Sequence, residues 1–301
     1  MKLKPTTRRH LSAARAALTL SLTGIILSAS ANAANLWDGG GTGAEWTDDL
    51  NWDDDLAPVF GTLTFAGALQ TTNTVAANVS MNMLVWTGTE PWTVNNASGA
   101  GISLVDLAAT DAARLENQST GLVSINAPLE FAASAGPNWG GISALNGDIA
   151  FGSGALTVNG SALAGLKVKG AGHAVTMNNS LNASGKWLAT TDAVTLAIGA
   201  AGTVTAGNMH VMNGGTLSLA GSISHSPGTG IVLGGDSGAT GMADLTKAGT
   251  FLLSPLTGGL TNSSPISTVA ANTSAALLVS SQNTSGTNTL GGAISLNSPL
   301  G

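Results

Sequence analysis

Short apolar runs, each closed by glycine, asparagine, serine or aspartate, recur along the chain after residue 34. Apolar and polar residues alternate within them as in strands, and no stretch keeps a sustained helical period. Eight of the runs begin at residues 156, 175, 194, 217, 231, 251, 277 and 294, a mean interval of about 20 residues. Sandwiches and hairpin barrels turn about every 8–12 residues, whereas an interval near 20 is typical of one coil of a parallel β-helix.

Composition favours the same architecture. Glycine accounts for 41 of 301 residues, and charged residues make up 9% of the chain, against about 25% in an ordinary globular domain. The hydrophobic fraction of 43% is too high for ordinary disorder. We therefore predict an all-β parallel β-helix, or β-solenoid, with about a dozen coils over residues 67–301. A pair of β-sandwiches and a partly disordered chain are the alternative architectures, and residues 107–117 are the one stretch compatible with a helix.

Residues 1–33 are typical of a secretory signal peptide. Five basic residues and no acid lie within residues 1–15, a 14-residue apolar stretch covers residues 16–29, and small residues end at Ala33. A 14-residue helix spans about 21 Å, which is short of a hydrocarbon core of roughly 30 Å. We expect export with cleavage after Ala33 rather than a membrane anchor.

Charge limits the partners of the remaining chain. Residues 34–301 carry five basic and sixteen acidic residues, a formal charge of −11. A nucleic-acid binder needs several cations to replace phosphate counterions, so we expect no nucleic-acid partner and no attraction to anionic membranes. The chain has no cysteine, so it has no disulfide and no thiolate metal site.

Residues 34–66 combine tryptophans with acids. Trp37, Trp46 and Trp52 lie among Asp38, Glu45 and the acids of residues 48–55. The open end of a solenoid invites edge-to-edge pairing of strands. We predict that these indoles plug the first coil while the acids keep the outer side hydrated, so that residues 34–66 form an N-terminal cap.

Two groups of motifs carry a family resemblance. The segments WDGGG at 37–41, NWDDD at 51–55 and LTF at 63–65, with LTKAGTFLLS at 245–254 and SGTNTLGG at 285–292, resemble secreted bacterial proteins with autotransporter-associated β-strand repeats. The last two are similar to the family's LTKxGxGxLxLSG and SGxNTYTGGT patterns, with Leu290 in place of the usual aromatic residue. The resemblance implies a right-handed β-helical passenger at the cell surface, outer membrane or outside the cell, with no catalytic residues.

Candidate binding residues are few. Asp48, Asp49, Asp53 and Asp55 are candidates for a calcium site, because Ca²⁺ takes six to eight oxygen ligands; a solvated acidic cap is the alternative. Trp86, Trp92, Trp139 and Trp187 are candidates for stacking on sugar rings, and packing at coil ends or anchoring of loops is the alternative for them. No motif predicts a cofactor.

We expect an exported structural or adhesive β-solenoid that is not an enzyme and presents a long surface to an extracellular glycan or a neighbouring cell. The alternative function is a carbohydrate-binding or polysaccharide-cleaving β-helix. We also expect the repeats to continue beyond Gly301, because a strand-like run begins at Ile294 with no cap after it.

Overall fold

The computed structural model describes residues 35–105, 114–132, 139–160 and 163–233, with short stretches at 250–253, 261–262, 266–268, 276–279 and 289–295. The chain divides after Ala34, and all described residues belong to the second unit, Asn35–Gly301. The residues of the expected leader, most of the 245–254 motif and half of the 285–292 motif lie outside the described ranges.

The described part is almost entirely strand, with one short 3₁₀ helix at Asp49–Asn51. In chain order its strands are β1 (Asn35–Trp37), β2 (Thr62–Phe65), β3 (Thr72–Val75), β4 (Val79–Met81), β5 (Met83–Trp86), β6 (Trp92–Asn96), β7 (Ile102–Val105), β8 (Arg114–Asn117), β9 (Val123–Ile125), β10 (Leu129–Ala132), β11 (Trp139–Ala144), β12 (Ile149–Phe151), β13 (Leu156–Val158), β14 (Gly165–Gly170), β15 (Ala174–Met177), β16 (Ser180–Ala183), β17 (Trp187–Thr191), β18 (Thr195–Ile198), β19 (Thr203–Val211), β20 (Thr216–Leu219), β21 (Ser222–Leu233), β22 (Thr250–Leu253), β23 (Thr261–Asn262), β24 (Ile266–Thr268), β25 (Ala276–Val279), β26 (Thr289–Leu290) and β27 (Ile294–Ser295).

From β2 to β16, each strand pairs in parallel with the strand three places later in the chain, so each turn contributes one strand to each of three faces. The first face contains β2, β5, β8, β11, β14 and β17, then the second half of β19; the second face runs from β3 through β6 to β20; the third runs from β4 through β7 to β16, then the first half of β19. The expected parallel β-solenoid is confirmed. β19 and β21 each bend from the third face to the first without a break, with the register shift between Ala206 and Asn208.

Strand alternation builds the core. Side chains alternate between buried and half-exposed along most strands, as the period of two in a strand requires. On the second face, Trp92, Val123, Ile149 and Val175 lie in register on successive turns, and every one of them is buried. The interior of the solenoid is therefore a packed apolar stack that runs along the strand ladders.

Successive turns differ in length. One register column on the first face passes through Leu63, Leu84, Leu115, Ile142, Val168, Thr190, Val211 and Leu233. The turn that ends at Leu115 is the longest of these, and those that end at Leu84 and Val211 are the shortest. The described strands complete seven turns up to β21, and later strands continue the ladders.

The expected number of a dozen coils was too high. The sequence runs at 175, 194, 217, 251 and 277 all lie on the second face, whereas those at 156, 231 and 294 lie on the other two. Counting every run as the start of a coil therefore counted some turns twice.

Polar side chains hold the corners between faces. Asn117 is fully buried, and its Nδ2 donates to the carbonyls of Gly121 and Asp148, 2.9 Å from each. Its Oδ1 accepts from Ser119 N at 2.9 Å. Gly121 packs so tightly against the Glu90 carbonyl that a Cβ there would collide with the backbone. Such buried amide contacts satisfy backbone groups that leave the strand ladder at each turn.

The helix expected at residues 107–117 is wrong over the part that the structure describes. Residues 114–117 form β8, which pairs with β5 and β11, and Arg114 approaches Glu116 at 3.9 Å. Pairing on both sides outweighs the weak local helical preference. The remaining residues of that prediction, including Asp111, lie outside the described ranges.

The N-terminal cap is confirmed. β1 pairs with β2, and Thr74 of β3 exchanges backbone hydrogen bonds with the segment at Ala44 and Trp46, so two edges of the first turn are covered. Trp37, Trp46 and Trp52 are at most 1% exposed. With Phe65, Trp86 and Trp92 they form an aromatic cap cluster, in which Phe65 lies 5.2 Å from Trp46 and stacks on Trp86 at 5.2 Å.

Acidic side chains of the cap face outward, as expected, and also shape its loops. Asp49, Asp53, Asp54 and Asp55 are exposed. Asp48 accepts from Leu50 N at the start of the 3₁₀ helix, where a side-chain oxygen satisfies an otherwise unpaired N–H group.

We predict that Trp52→Ala lowers the free energy of unfolding by about 3–5 kcal/mol, as for other buried aromatic truncations. The Trp52 ring meets Trp37 edge-on at 5.3 Å, and its Nε1 donates to Trp46 O at 3.0 Å. Urea unfolding followed by near-ultraviolet circular dichroism measures the loss. Leu56→Ala is the control, because Leu56 is 61% exposed in the same segment; equal shifts in both variants would contradict the role of the cap cluster.

Candidate functional site

The outer side of the first face carries an unusual set of side chains. In β14, Leu166 and Val168 are buried inside the coil, so Lys167 and Lys169 emerge on the outside. The neighbouring strands β11 and β17 each begin with a partly exposed tryptophan. We call the group on and beside these strands the first-face strip; its members are Arg114, Trp139, Lys167, Lys169, Lys186, Trp187 and His210.

Two indoles of the strip meet across a glycine. Trp139 and Trp187 are both in register with Gly165 on the strand between them. A Cβ on Gly165 would lie 2.8 Å from Trp139 Cζ3 and would also collide with the Trp187 carbonyl. Because this position has no side chain, the two rings approach edge to face, with centroids 6.4 Å apart.

The two tryptophans have different supports. His210 is 2% exposed and stacks on Trp187, with ring centroids 4.7 Å apart and planes 7° from parallel. Lys167 Nζ lies 5.3 Å from the centroid of Trp139, within the range of a cation–π interaction. Both indoles also pack on a small apolar cluster of Ala189 and Met212 outside the main core. The strip is thus a structured surface in which aromatic faces and cations contact one another.

Positive charge is concentrated here. Lysine and arginine occur at four described positions, and all four belong to the strip: Arg114 in β8, Lys167 and Lys169 in β14, and Lys186 directly before β17. Lys186 Nζ donates to Leu163 O at 2.8 Å beside the start of β14. Glu116 and Asp192 are the acids near these groups. One face of an acidic protein therefore holds its described cationic side chains.

Lys167 has a perturbed ionisation. Burial lowers the pKa of its ammonium below the usual 10.5, the positive charge of Lys169 lowers it further, and Asp192 acts in the opposite direction. Desolvation disfavours the charged form, and a neighbouring like charge adds to that effect.

The other two candidate tryptophans are not on this surface. Trp86 and Trp92 are 0% and 1% exposed inside the cap cluster. This burial corrects the suggestion that they stack on sugars, since a ligand in solvent cannot reach either ring. Trp139 and Trp187 are the two of the four that the structure places together on an outer face.

The calcium candidates lie in the cap loops. Asp49 Oδ1 accepts from Ala57 N at 2.9 Å, Asp53 Oδ1 approaches Leu36 N at 3.4 Å, and Asp55 occupies a turn with φ of 53°. Within the described ranges, no three histidine, aspartate or glutamate side chains converge closely enough to hold a metal ion. The carboxylates of Asp49 and Asp53 serve backbone N–H groups of the cap.

A groove of about 520 Å³ runs along the third face. Its floor includes Ser80, Ser103, Glu130 and Thr157, which stand in register on successive turns. Glu130 is the one carboxylate among its lining residues, and its Oε1 accepts from Asn159 Nδ2 at 3.0 Å. Hydroxyl and amide groups of this kind can hydrogen-bond a sugar chain.

Sequence reasoning did not identify Lys167, Lys169 and His210 as members of a site. The alternation in GLKVKG at 165–170 was the available signal, since a strand with leucine and valine inside must place both lysines outside. His210 had no comparable signal, because its partner Trp187 lies one full turn earlier.

No family model, no curated protein sequence and no solved structure matches this chain. Among the described residues, no helix has the length and apolar character needed to cross a membrane.

We predict that the pKa of Lys167 lies below 10.5, that Lys169→Met raises it by removing a like charge, and that Asp192→Asn lowers it further. Carbon-13 NMR of the lysine Cε groups measures these values, and Lys167→Arg assigns the resonance. Because the unfolded chain holds the proton more tightly, the free energy of unfolding rises with pH between the lowered pKa and 10.5. A rise of the pKa in Asp192→Asn would contradict this electrostatic arrangement.

Proposed function

We propose that this protein is exported and acts outside the cell as a non-catalytic structural or adhesive β-solenoid. The first-face strip is the single observation that carries the adhesive role. It joins partly exposed indoles to cations on stacked strands of a rigid wall, and aromatic residues with arginine or lysine are typical of surfaces that bind other molecules.

The packed interior supports a scaffold role. The inward side chains of the described turns fill the coil with apolar residues, and the cap cluster closes its N-terminal end. Chemistry on such a wall is restricted to its outer faces and corner loops. The resemblance of the N-terminal and repeat motifs to secreted passenger proteins, together with the leader-like residues 1–33, supports an extracellular location.

Export is tested by the mass of the N-terminus in cell-surface and culture fractions of the source cell. We expect the protein there to begin at Ala34. Ile26→Arg places a charge in the apolar stretch and should retain the full chain inside the cell, whereas Thr23→Ser should leave export unchanged. A chain that keeps Met1 and stays in the cytoplasm would refute the proposal.

Carbohydrate cleavage is the second candidate function, and the hydroxyl and amide groups of the third-face groove favour binding of a sugar chain there. Glycosidases use a pair of carboxylates; Glu130 is the one carboxylate that lines the groove and is therefore the acid or base to test. Release of reducing ends from a polysaccharide panel, abolished in Glu130→Gln and kept in Ser103→Ala, would support this enzyme. Absence of release, or release that Glu130→Gln does not change, would exclude Glu130 as a catalytic residue for polysaccharide cleavage. The non-catalytic proposal would then stand.

A further inference from the structure

Two of the four cations of the first-face strip, Arg114 and Lys167, lie two strands apart in one outward column, and the buried His210 continues that column. Register on this face places Arg114 beside Gly141, Gly141 beside Lys167, Lys167 beside Ala189, and Ala189 beside His210. Arg114, Lys167 and His210 therefore occupy alternate rungs of one outward column. The intervening rungs hold glycine, which has no side chain, and alanine, which has a single methyl group, so the larger side chains have room.

The backbone positions of the two tryptophans follow the same spacing in the adjoining column, and their rings converge to 6.4 Å between centroids. Trp139 and Trp187 lie two strands apart, with Gly165 on the rung between them. Neighbouring strands are about 4.8 Å apart, so alternate rungs repeat roughly every 10 Å along the direction of stacking. This repeat is close to the length of one disaccharide in an extended β-linked glycan.

We propose that the first-face strip binds a linear acidic polysaccharide that carries a negative charge on every second sugar. Arg114 and Lys167 pair with successive acidic groups, and a sugar ring between those groups packs against the edge-to-face pair of Trp139 and Trp187. The glycan chain runs across the strands, parallel to the direction in which the turns stack. This inference rests on the proposed function, because such polysaccharides are encountered outside the cell.

Charge complementarity selects an acidic ligand over a neutral one. Residues 34–301 carry a formal charge of −11. The strip nevertheless contains four cationic side chains, with Glu116 close to Arg114 and Asp192 close to Lys167. Arg114 remains 41% exposed although it approaches Glu116 at 3.9 Å. A bound anion beside Lys167 would favour its charged form, which burial and Lys169 disfavour in the free protein.

His210 acts here as a positioning residue. At 2% exposure it does not touch the ligand, and its parallel stacking holds one side of Trp187. A fixed indole loses less rotational freedom on binding than a mobile one does.

Binding is measured by calorimetry with the purified full chain at low salt. The probes are hyaluronan and unsulfated chondroitin, which have one carboxylate per disaccharide, with cellohexaose as the neutral chain and a single-stranded 20-mer DNA as a non-glycan polyanion. We expect both carboxylated glycans to bind and to weaken as salt rises, since salt screens exposed charges. Equal binding of cellohexaose, equal binding of DNA, or no binding of either carboxylated glycan would overturn the proposal.

Variants test the two columns separately. Lys167→Gln should weaken hyaluronan binding by about threefold to tenfold and reduce its salt dependence. Trp187→Ala should weaken binding about tenfold, by loss of its aromatic contact with the sugar chain, with partial recovery in Trp187→Phe. Circular dichroism confirms that each variant keeps its strands.

Asn182→Asp is the matched control. It also lowers the net charge by one, but on the exposed side of β16 on the third face, where a carboxylate retains the oxygen that accepts from Ser184 N. Equal losses in Asn182→Asp and Lys167→Gln would show that only net charge matters and would overturn the strip assignment. The cellular location of the chain separates the two proposals. An exported chain that binds none of the glycans refutes only glycan binding by the first-face strip. A cytoplasmic chain refutes the proposed function, whatever it binds in solution.

Discussion

Hydrogen bonding between successive turns is the constraint on which the rest of this structure depends. A parallel strand receives its backbone partners from the turn before and the turn after it, so a single turn cannot satisfy its own N–H and C=O groups. Register is equally restrictive, because a one-position slip would turn an inward column such as Leu63–Leu84–Leu115 to the outside. The corners are under no such restriction, which is why the short turn from Leu63 to Leu84 and the much longer turn from Leu84 to Leu115 stack in one ladder.

The same constraint explains the concentration of aromatic residues at the N-terminal end. A first turn has no preceding turn, so its strand edges and the end of its core both need a cover. β1 and the bridge at Glu45 supply backbone partners, and three large indoles fill the cross-section that a preceding turn would occupy. The acids around them remain outside, where charge discourages pairing with another chain.

The strands and the cap could be predicted from the sequence, because both depend on local pattern. Alternation marks individual strands, and tryptophans beside acids mark a surface that is apolar on one side and wet on the other. The number of turns could not be predicted, because the sequence does not label which face a strand joins. Arg114 shows a second limit of prediction from sequence. The residues next to it in the sequence permit a helix, and this segment is extended only because β8 pairs with strands that are distant in the sequence.

The candidate site depends on whether a residue takes an inward or an outward position in the alternation of its strand. This position explains why the four candidate tryptophans lie in different environments. Trp86 and Trp92 occupy inward positions of their strands, whereas Trp139 and Trp187 begin strands at outward positions. A one-position shift at a strand start exchanges these environments, and residue type alone does not reveal the shift. His210 reaches Trp187 only because the next turn of the chain brings β19 beside β17.

A wall of stacked strands also fixes the distances between side chains before any ligand is present. Backbone spacing sets the rungs, and the small residues Gly141, Gly165 and Ala189 determine which rungs remain open for neighbouring large groups. Lys167 and the two indoles are therefore held in place by strands that are paired on both sides, and binding need not order a loop. A polymer whose charges recur at the separation of alternate rungs would gain most from such a surface, because Arg114 and Lys167 already lie two strands apart.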